Sequence, residues 1–503
     1  MSMSYPPPQD IPKPQSVPPL PLLPIEPPDL HGFALPSLLS DNTSDEIPGF
    51  TYSKHLIPAC RTRSVPASYD MPTADPRALA SKELRKAEMQ RVGAAMKDLV
   101  ASEEWWQSPP VGFTPDAPLF NCLGRFRRTS DSGARLTLFF AHANGFNKEV
   151  CCPSGGCTSL TSVLCTLRAP DMVCYPPPPF HRSLRCRHSG SVGWEAVQHG
   201  EAALINRAAL RGLYSWRDNA RDILNFLLHF IPAEASHDSL PAHLPRVPSA
   251  ETATRRVAGL TRRHVVAIGH SFGGCTRCAV IVRLLATNQL KLTNIVPSSD
   301  ASARRPCSAL ATLTPPYGPL LIRSLVLIDP VIMAPKSGHN KSGLQVLASG
   351  AVGRRGQWAS REDAREQFLA SPFFQRWDPE VLDAYVQNGL YEQDGQVHLC
   401  MSPHDEALMF AEGRTSWEVY KRLPSLTSDV ELRWIMPGRD RRRMLNSLGS
   451  AEEAERRVWL RPENASNVRI EGAGHLIPHE KPEQLGALWH SFTGTLVYGF
   501  DST

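Results

Sequence analysis

The chain has 503 residues, of which 42% are hydrophobic and 20% charged, enough for a large buried core in two or three domains. A formal net charge of +5 is small for that length and argues against nucleic acid or an anionic membrane as partner. No apolar run reaches the length of a membrane span, so none is expected.

The start, Met-Ser-Met-Ser-Tyr-Pro-Pro-Pro, lacks a basic region followed by an apolar core, and no signal peptide is expected. The end, Asp501-Ser502-Thr503, is not a Ser-Lys-Leu-type peroxisomal address. The expected compartment is therefore cytoplasmic, with the sequons at Asn42, Asn340 and Asn464 unglycosylated and the twelve cysteines reduced.

Residues 1–48 are Pro-rich and read as a disordered or polyproline II tail, because proline fixes φ and removes donors. Phe50 to Ile57 reads as a first strand. Arg77 to Glu104 carries Leu84, Val92, Met96 and Leu99 at near-helical spacing, which predicts an amphipathic surface helix. Leu119 to Arg128 alternates into a strand, Asp131-Ser132-Gly133 turns, and Leu136 to Ala141 is a buried strand.

Residues 150–192 break this rhythm. Cys151, Cys152, Cys157, Cys165, Cys174 and Cys186 crowd together with Tyr175-Pro176-Pro177-Pro178-Pro179, and Asp171 is the one acid. A zinc site using these thiols with His181 and His188 fits poorly, since the spacings are irregular and no Cys-x-x-Cys pair occurs. No metal and no cofactor are expected. A disulfide cluster fits less well still. The favoured readings are a long disordered insert, or translated non-coding sequence replacing a helix and a strand; structureless loops of this length are uncommon inside a domain.

Order resumes at Trp194 to Gly200, read as a strand end and its loop. Ser215-Trp216-Arg217-Asp218 resembles a capping box, opening a helix with Ile223, Leu224, Leu227 and Leu228 as its apolar stripe. A Pro/Ala/Ser linker, about 232–254, leads to the strand Val265-Val266-Ala267-Ile268. Residues 288–320 read as a surface loop, and Ser324 to Asp329 as a buried strand ending in a carboxylate. Residues 331–428 look all-helical, with Ser360 and Asp378-Pro379 opening two of the helices. Such a block between two strands is placed to act as a lid. Its Phe373, Phe374, Trp377, Leu382 and Met409 either line a substrate cavity or hold the lid together. Val430 to Met436 is a strand, Ser450 to Val458 a helix, Val468 to Ile470 a last short strand, and a final helix starts near Pro482. The expected division is tail 1–48, core 49–330 with inserts at about 150–192, 232–254 and 288–320, lid 331–428, and core 429–503.

Chemistry concentrates where strands end. The 265–268 strand runs into Gly269-His270-Ser271-Phe272-Gly273, followed at once by a helix-capable stretch. Strand, Gly-x-Ser-x-Gly turn and helix together predict an exposed serine on a strained turn. Ser271 needs a base, and His475 in the loop Glu471-Gly472-Ala473-Gly474-His475 is the candidate. The base needs a carboxylate to fix its tautomer. Two stand between them in the required order: Asp329, in an apolar setting before Pro330, and Asp440, crowded by Arg439, Arg441, Arg442 and Arg443. Asp329 is preferred, with Asp440 the alternative. The turn His142-Ala143-Asn144-Gly145-Phe146 after the 136–141 strand is expected to supply an oxyanion amide from Asn144, with the second from Phe272.

Ala141 to Phe146, Gly269 to Gly274, Ile328-Asp329-Pro330-Val331 and Gly472 to His475 resemble the α/β-hydrolase superfamily. More narrowly they are similar to a fungal branch of peroxisomal lipase-like and toxin-biosynthesis hydrolases. The resemblance covers the chain from about Phe50, apart from the inserts. It implies an α/β fold with a mostly parallel sheet, flanking helices and an α-helical lid. In that branch a carboxylate followed by Pro-Val after the sixth strand is kept, which is the main reason for preferring Asp329. Relatives carry a helix and a strand where residues 150–192 stand. The resemblance also suggests a peroxisomal setting, for which the chain shows no address. The implied activity is cleavage of an ester or related acyl bond of a hydrophobic small molecule through an acyl-enzyme. Dehalogenase and epoxide hydrolase chemistries use an elbow aspartate and are disfavoured by Ser271. A carbon–carbon bond hydrolase on the same residues, or a non-catalytic or defective protein of this fold, are the alternatives.

Overall fold

The computed structural model describes residues 4–10, 23–39, 43–44, 50–65, 72, 75, 82–101, 112–129, 136–151, 190–210, 212–234, 239–279, 321–334, 343–438 and 450–488. Among these, nine strands form one sheet in the order β1-β2-β3-β5-β4-β6-β7-β11-β12. They are β1 (Thr43–Ser44), β2 (Phe50–Pro58), β3 (Phe120–Arg128), β4 (Leu136–Ala141), β5 (Gly190–Glu195), β6 (His264–His270), β7 (Ser324–Ile328), β11 (Glu431–Pro437) and β12 (Ala465–Ile470). The pairs from β1 to β5 are antiparallel. From β5 through β4, β6, β7 and β11 to β12 they are parallel.

Parallel strands covered on both faces need apolar residues at every position. Phe139, Val265, Ala267, Leu325, Leu327 and Trp434 fill one face, packed by Ile223, Leu224 and Leu227 of the Trp216–His229 helix. Leu138, Phe140, Val266, Ile268, Val326 and Ile435 fill the other, covered by Ile477 and Leu485. Each large apolar side chain removed from water in this way contributes about 1.5–3 kcal/mol.

The structure corrects several expectations. The strand that residues 150–192 were read as replacing is present. β5 starts at Gly190 and bridges β3 and β4, and the short Lys148–Cys151 helix precedes it. Residues 152–189 lie outside the described residues, as do 280–320, which include the whole of the expected loop 288–320. The 232–254 linker is shorter than read, because the Ser249–Ala258 helix begins inside it. Leu56 also brackets that linker, donating to the Ala242 carbonyl and accepting from the Leu244 amide. Ser215 caps its helix by accepting from the Arg217 amide, but Asp218 does not complete a capping box. Its carboxylate accepts from the Ser64 amide and pairs with Arg221.

The Pro-rich segment is not a disordered tail where it is described. Tyr5 is buried against the β12 edge, exchanging hydrogen bonds with the Asn467 side chain beneath the Arg469 guanidinium. Further on, the Pro24, Pro28 and Pro36 carbonyls accept from Arg221, Arg246 and His243. Extended proline-rich backbone has no internal hydrogen bonds, so its carbonyls stay free for such donors.

The Lys82–Ala101 helix is more than a surface helix. Met89, Val92, Met96 and Val100 are buried where it packs on the Gly343–Val352 and Pro403–Ala411 helices. At Gly93 an added Cβ would collide with Ser349. The 331–428 block is also not all-helical. Besides the helices Gly343–Val352, Arg361–Leu369, Pro379–Asn388, Pro403–Ala411 and Arg414–Arg422 it holds a second, antiparallel sheet of β8 (Gln357–Trp358), β9 (Leu390–Gln393) and β10 (Gln396–Leu399). The reason is Asp394-Gly395, both at positive φ, the residue pair a two-residue hairpin turn demands. Among the described residues no helix is long and apolar enough to cross a membrane.

A buried charge cluster ties the strand ends together. Lys148 Nζ lies 2.8 Å from Glu149, 3.2 Å from Glu195 and 3.5 Å from Glu201. Glu195 also accepts from the Ala202 and Lys148 amides, joining β5 to the helices on either side of it. Burial pushes the Glu195 carboxyl up to about 7, against the pull of Lys148. Between its ordinary value near 4.5 and about 7 the folded chain therefore holds a proton that the unfolded chain has lost. Stability should fall as pH rises through that window. Urea midpoints measured across it should show this slope, and Glu195→Gln should flatten it. An unchanged slope in the variant would assign the dependence elsewhere.

Candidate active site

The parallel register sets His270 opposite Ile328, so the residues that follow each strand meet at the same sheet edge. Ser271 follows β6 and Asp329 follows β7, and both adopt positive φ, +57° and +31°. Non-glycine residues rarely hold that conformation without support. Here it comes from crossed backbone bonds. The Ser271 amide donates to the Ile328 carbonyl at 3.0 Å, and the Val331 amide donates to the Ser271 carbonyl at 3.0 Å. The Asp329 amide donates to Ile435 of β11 at 2.9 Å.

The glycines around Ser271 are there for close approach. A Cβ on Gly269 would stand 2.5 Å from the Gly273 carbonyl oxygen, and one on Gly273 2.5 Å from the Ala141 carbonyl oxygen. A Cβ on Gly274 would stand 2.8 Å from Pro330 Cβ. The helix at 272–279 can therefore start directly on the strand end, with its first turn wedged between β4 and the Asp329 turn.

His475 reaches the edge from the loop after β12. Its Nε2 lies 3.0 Å from Ser271 Oγ, and its Nδ1 lies 2.8 Å from Asp329 Oδ2. Asp329 has no solvent exposure and Ser271 only 6%, whereas the His475 side chain retains 23%. The carboxylate can accept from Nδ1–H, which leaves Nε2 free to accept the serine proton. Asp440, the alternative carboxylate, lies outside the described residues.

Three further histidines surround this group. The His270 Nε2–H donates to the His475 carbonyl at 2.9 Å, fixing the base loop to the serine's own strand. Burial lowers His270 to about 3 and His142 to about 4, and drives His479 well below its ordinary value. All three are neutral at physiological pH.

The Ala143-to-Phe146 turn closes with the Phe146 amide donating to Ala143, and its third position is Gly145 at φ +83°, as a type II turn requires. Among the described residues neither the Asn144 nor the Phe272 backbone N–H meets an acceptor. Asn144 is held by its side chain. Nδ2 donates to the Glu406 carbonyl at 3.1 Å, and Oδ1 accepts from His199 Nε2 at 3.1 Å. His199, driven well below its usual value by burial, is a neutral ring stacked on Phe272. Glu406 belongs to the 331–428 block, sits against Gly145 and pairs with Arg354 at 2.7 Å.

The apolar residues singled out in that block pack mainly on one another. Trp377 and Leu382 share a buried cluster with Phe146, Phe368 and Tyr385. Met409 belongs to the main core, and Phe373 is exposed. Sequence reasoning did not single out His199, His270, Glu406 or Arg457, whose Nη2 lies 3.3 Å from Asp329 Oδ1. His270 stands inside the serine motif and could have been weighed; Glu406 and Arg457 carry no local signal. Among the described residues no cluster of three or more His, Cys, Asp or Glu side chains could hold a metal ion.

Comparison with known proteins agrees with this architecture. The model of the alpha/beta hydrolase family matches residues 169–488, more than half of the chain. The abhydrolase domain-containing protein ACTT2-1 of Alternaria alternata is 26% identical over 153 residues, 29% of this chain and 44% of that protein. The match thus spans less than half of that relative. ACTT2 of the same organism is 23% identical over 247 residues, 44% of this chain and 79% of its own. The peroxisomal alpha-beta-hydrolase Lpx1 of Saccharomyces cerevisiae superposes with a TM-score of 0.53 at 15% identity, over 90% of this chain and 91% of that one. On the family match, and with a fold to accord with it, this chain belongs to the α/β hydrolase family.

Proposed function

We propose that this hydrolase is a serine hydrolase that cleaves an ester or related acyl bond of a hydrophobic small molecule. The observation that carries the reading is the line Ser271 Oγ, His475 and Asp329, with links of 3.0 and 2.8 Å. In this reading His475 Nε2 takes the Ser271 proton as Oγ attacks the acyl carbon, and Asp329 holds the Nδ1 proton and stabilises the imidazolium. The Asn144 and Phe272 amides receive the developing oxyanion. His475 then returns the proton to the leaving oxygen, and a water activated the same way releases the acid and frees Ser271. The neutral rings of His142, His270 and His479 suit this role, since they add no cation that would oppose the imidazolium.

Residues 331–428 serve as the lid in this reading. They meet the core at Gly145 and Phe146, where a small cavity is lined by Asn147, Arg354, Tyr385 and Cys400 as well. Phe146 and Tyr385 line this cavity, and Trp377 packs against both from behind it.

A fluorophosphonate probe should label the wild-type chain on Ser271, and Ser271→Ala should abolish labelling. A folded wild-type sample that stays unlabelled would end this reading and favour a non-catalytic protein of the same fold. Asp329→Asn should lower kcat on a labelled-active preparation by about 10⁴-fold, measured with short-chain p-nitrophenyl esters. If Asp440→Asn produced the greater loss, Asp440 would be the acid.

A further inference from the structure

We infer that Arg457 is a positioning residue for the triad acid, holding the Asp329 carboxylate in the orientation that faces His475. The inference rests on the serine-hydrolase reading above. Arg457 lies on the Ala451–Val458 helix, whose start is fixed by a complete capping box. Ser450 Oγ accepts from the Glu453 amide, and the Glu453 carboxylate accepts from the Ser450 amide. Ala454 and Val458 anchor the same helix in the core. This delivers the guanidinium, itself buried, behind the acid turn. Nη2 donates to Asp329 Oδ1 at 3.3 Å and Nη1 donates to the Ile332 carbonyl at 3.1 Å.

The two carboxylate oxygens of Asp329 thus face different partners, Oδ2 the ring of His475 and Oδ1 the guanidinium. Arg457 bridges Asp329 and the backbone three residues on, which fixes the plane of the carboxylate at a positive-φ turn. Its charge is permanent, so it also supplies a counter-charge to the enclosed Asp329 carboxylate. The other groups facing His475 do not duplicate this. His270 of β6 and His479 of the following turn are neutral. Glu480 accepts from the Gly474 amide and pairs with Arg376 on the far side of the loop.

The test is the split between kcat and KM of the full chain on a neutral p-nitrophenyl ester, with rescue by the conservative variant. Arg457→Met should lower kcat by about 10²-fold with KM little changed. Arg457→Lys, which keeps the charge and loses the fork, should recover part of that loss. Should the Met variant not fold, Arg457→Gln is read the same way. An unchanged kcat in a folded, probe-labelled neutral variant would overturn the inference and leave the serine-hydrolase reading intact. Absence of labelling in the wild type would overturn both.

Discussion

The structure depends on a pair of crossed backbone bonds between two strand ends. Ser271 and the Ile328-to-Val331 turn extend the β6–β7 ladder one step past the sheet, at the point where both chains leave it for other elements. Each bond holds one residue of the opposite turn in a conformation that a non-glycine side chain avoids, at about 1–3 kcal/mol apiece. Each strained turn is held by the other, and Asp329 by Ile435 of β11 as well. The geometry between hydroxyl and carboxylate is thereby decided by main-chain register, with His475 as the one member that arrives from a more distant loop. That loop is in turn held by His270, the residue next to the serine. The serine and the base loop are thus both fixed to β6, while Asp329 is held from β11 and by Arg457 as well.

Burial is the second half of the design. The carboxylate is fully enclosed and the rings around it are neutral, so Coulomb interactions within the group are stronger than they would be in water. An enclosed carboxylate must be paired and hydrogen-bonded to remain ionised, and Asp329 meets that demand through a ring nitrogen and a guanidinium. Beneath the Asn144 turn the same demand is met on a larger scale, where Lys148 joins three glutamates. Removing Lys148 would leave Glu149 and Glu195 without that cation, while Glu201 would keep Lys54 at 3.1 Å.

How much of this was legible in the sequence follows from the range of each interaction. Ser271, His475 and Asp329 could be singled out because strand ends, glycine turns and chain order are local properties, and the structure brings those three side chains together. The parallel core strands were legible for the same reason, as short apolar runs. The small sheet of β8, β9 and β10 was missed although Asp394-Gly395 is a local signal; the helical neighbours on both sides outweighed it. β5 was obscured because Gly190, Ser191 and Gly193 have poor strand propensity, and its pairing with β3 and β4 overrides that propensity. The contacts of Tyr5, Pro24 and Pro36 were illegible in principle. They use backbone carbonyls as acceptors, and any residue type supplies those. Arg457 and Glu406 are of the same kind, since their meaning comes from partners more than a hundred residues away in the chain.

The contact between the 331–428 block and the Asn144 turn constrains how a substrate could enter. Phe146 is not merely covered by the block. It is part of the block's own core, against Trp377, Tyr385 and His479, while the neighbouring Asn144 side chain is bonded to the Glu406 carbonyl. Swinging the whole block away would expose Phe146, costing about 1.5–3 kcal/mol for that side chain alone. It would also strip Asn144 of one of its two holds, leaving His199 as the other. An opening of that kind would disassemble the turn expected to receive the oxyanion. Movement of a part is less disruptive. The Phe373–Trp377 segment is a single 3₁₀ turn, with Phe373 already exposed and Arg376 paired with Glu480 at 3.6 Å, while Trp377 at its other end is buried against Phe146 and Tyr385. Displacing the Phe373 end alone would leave the bond from Asn144 to the Glu406 carbonyl in place, so in the proposed reading access and preorganisation would fall to different parts of the same block.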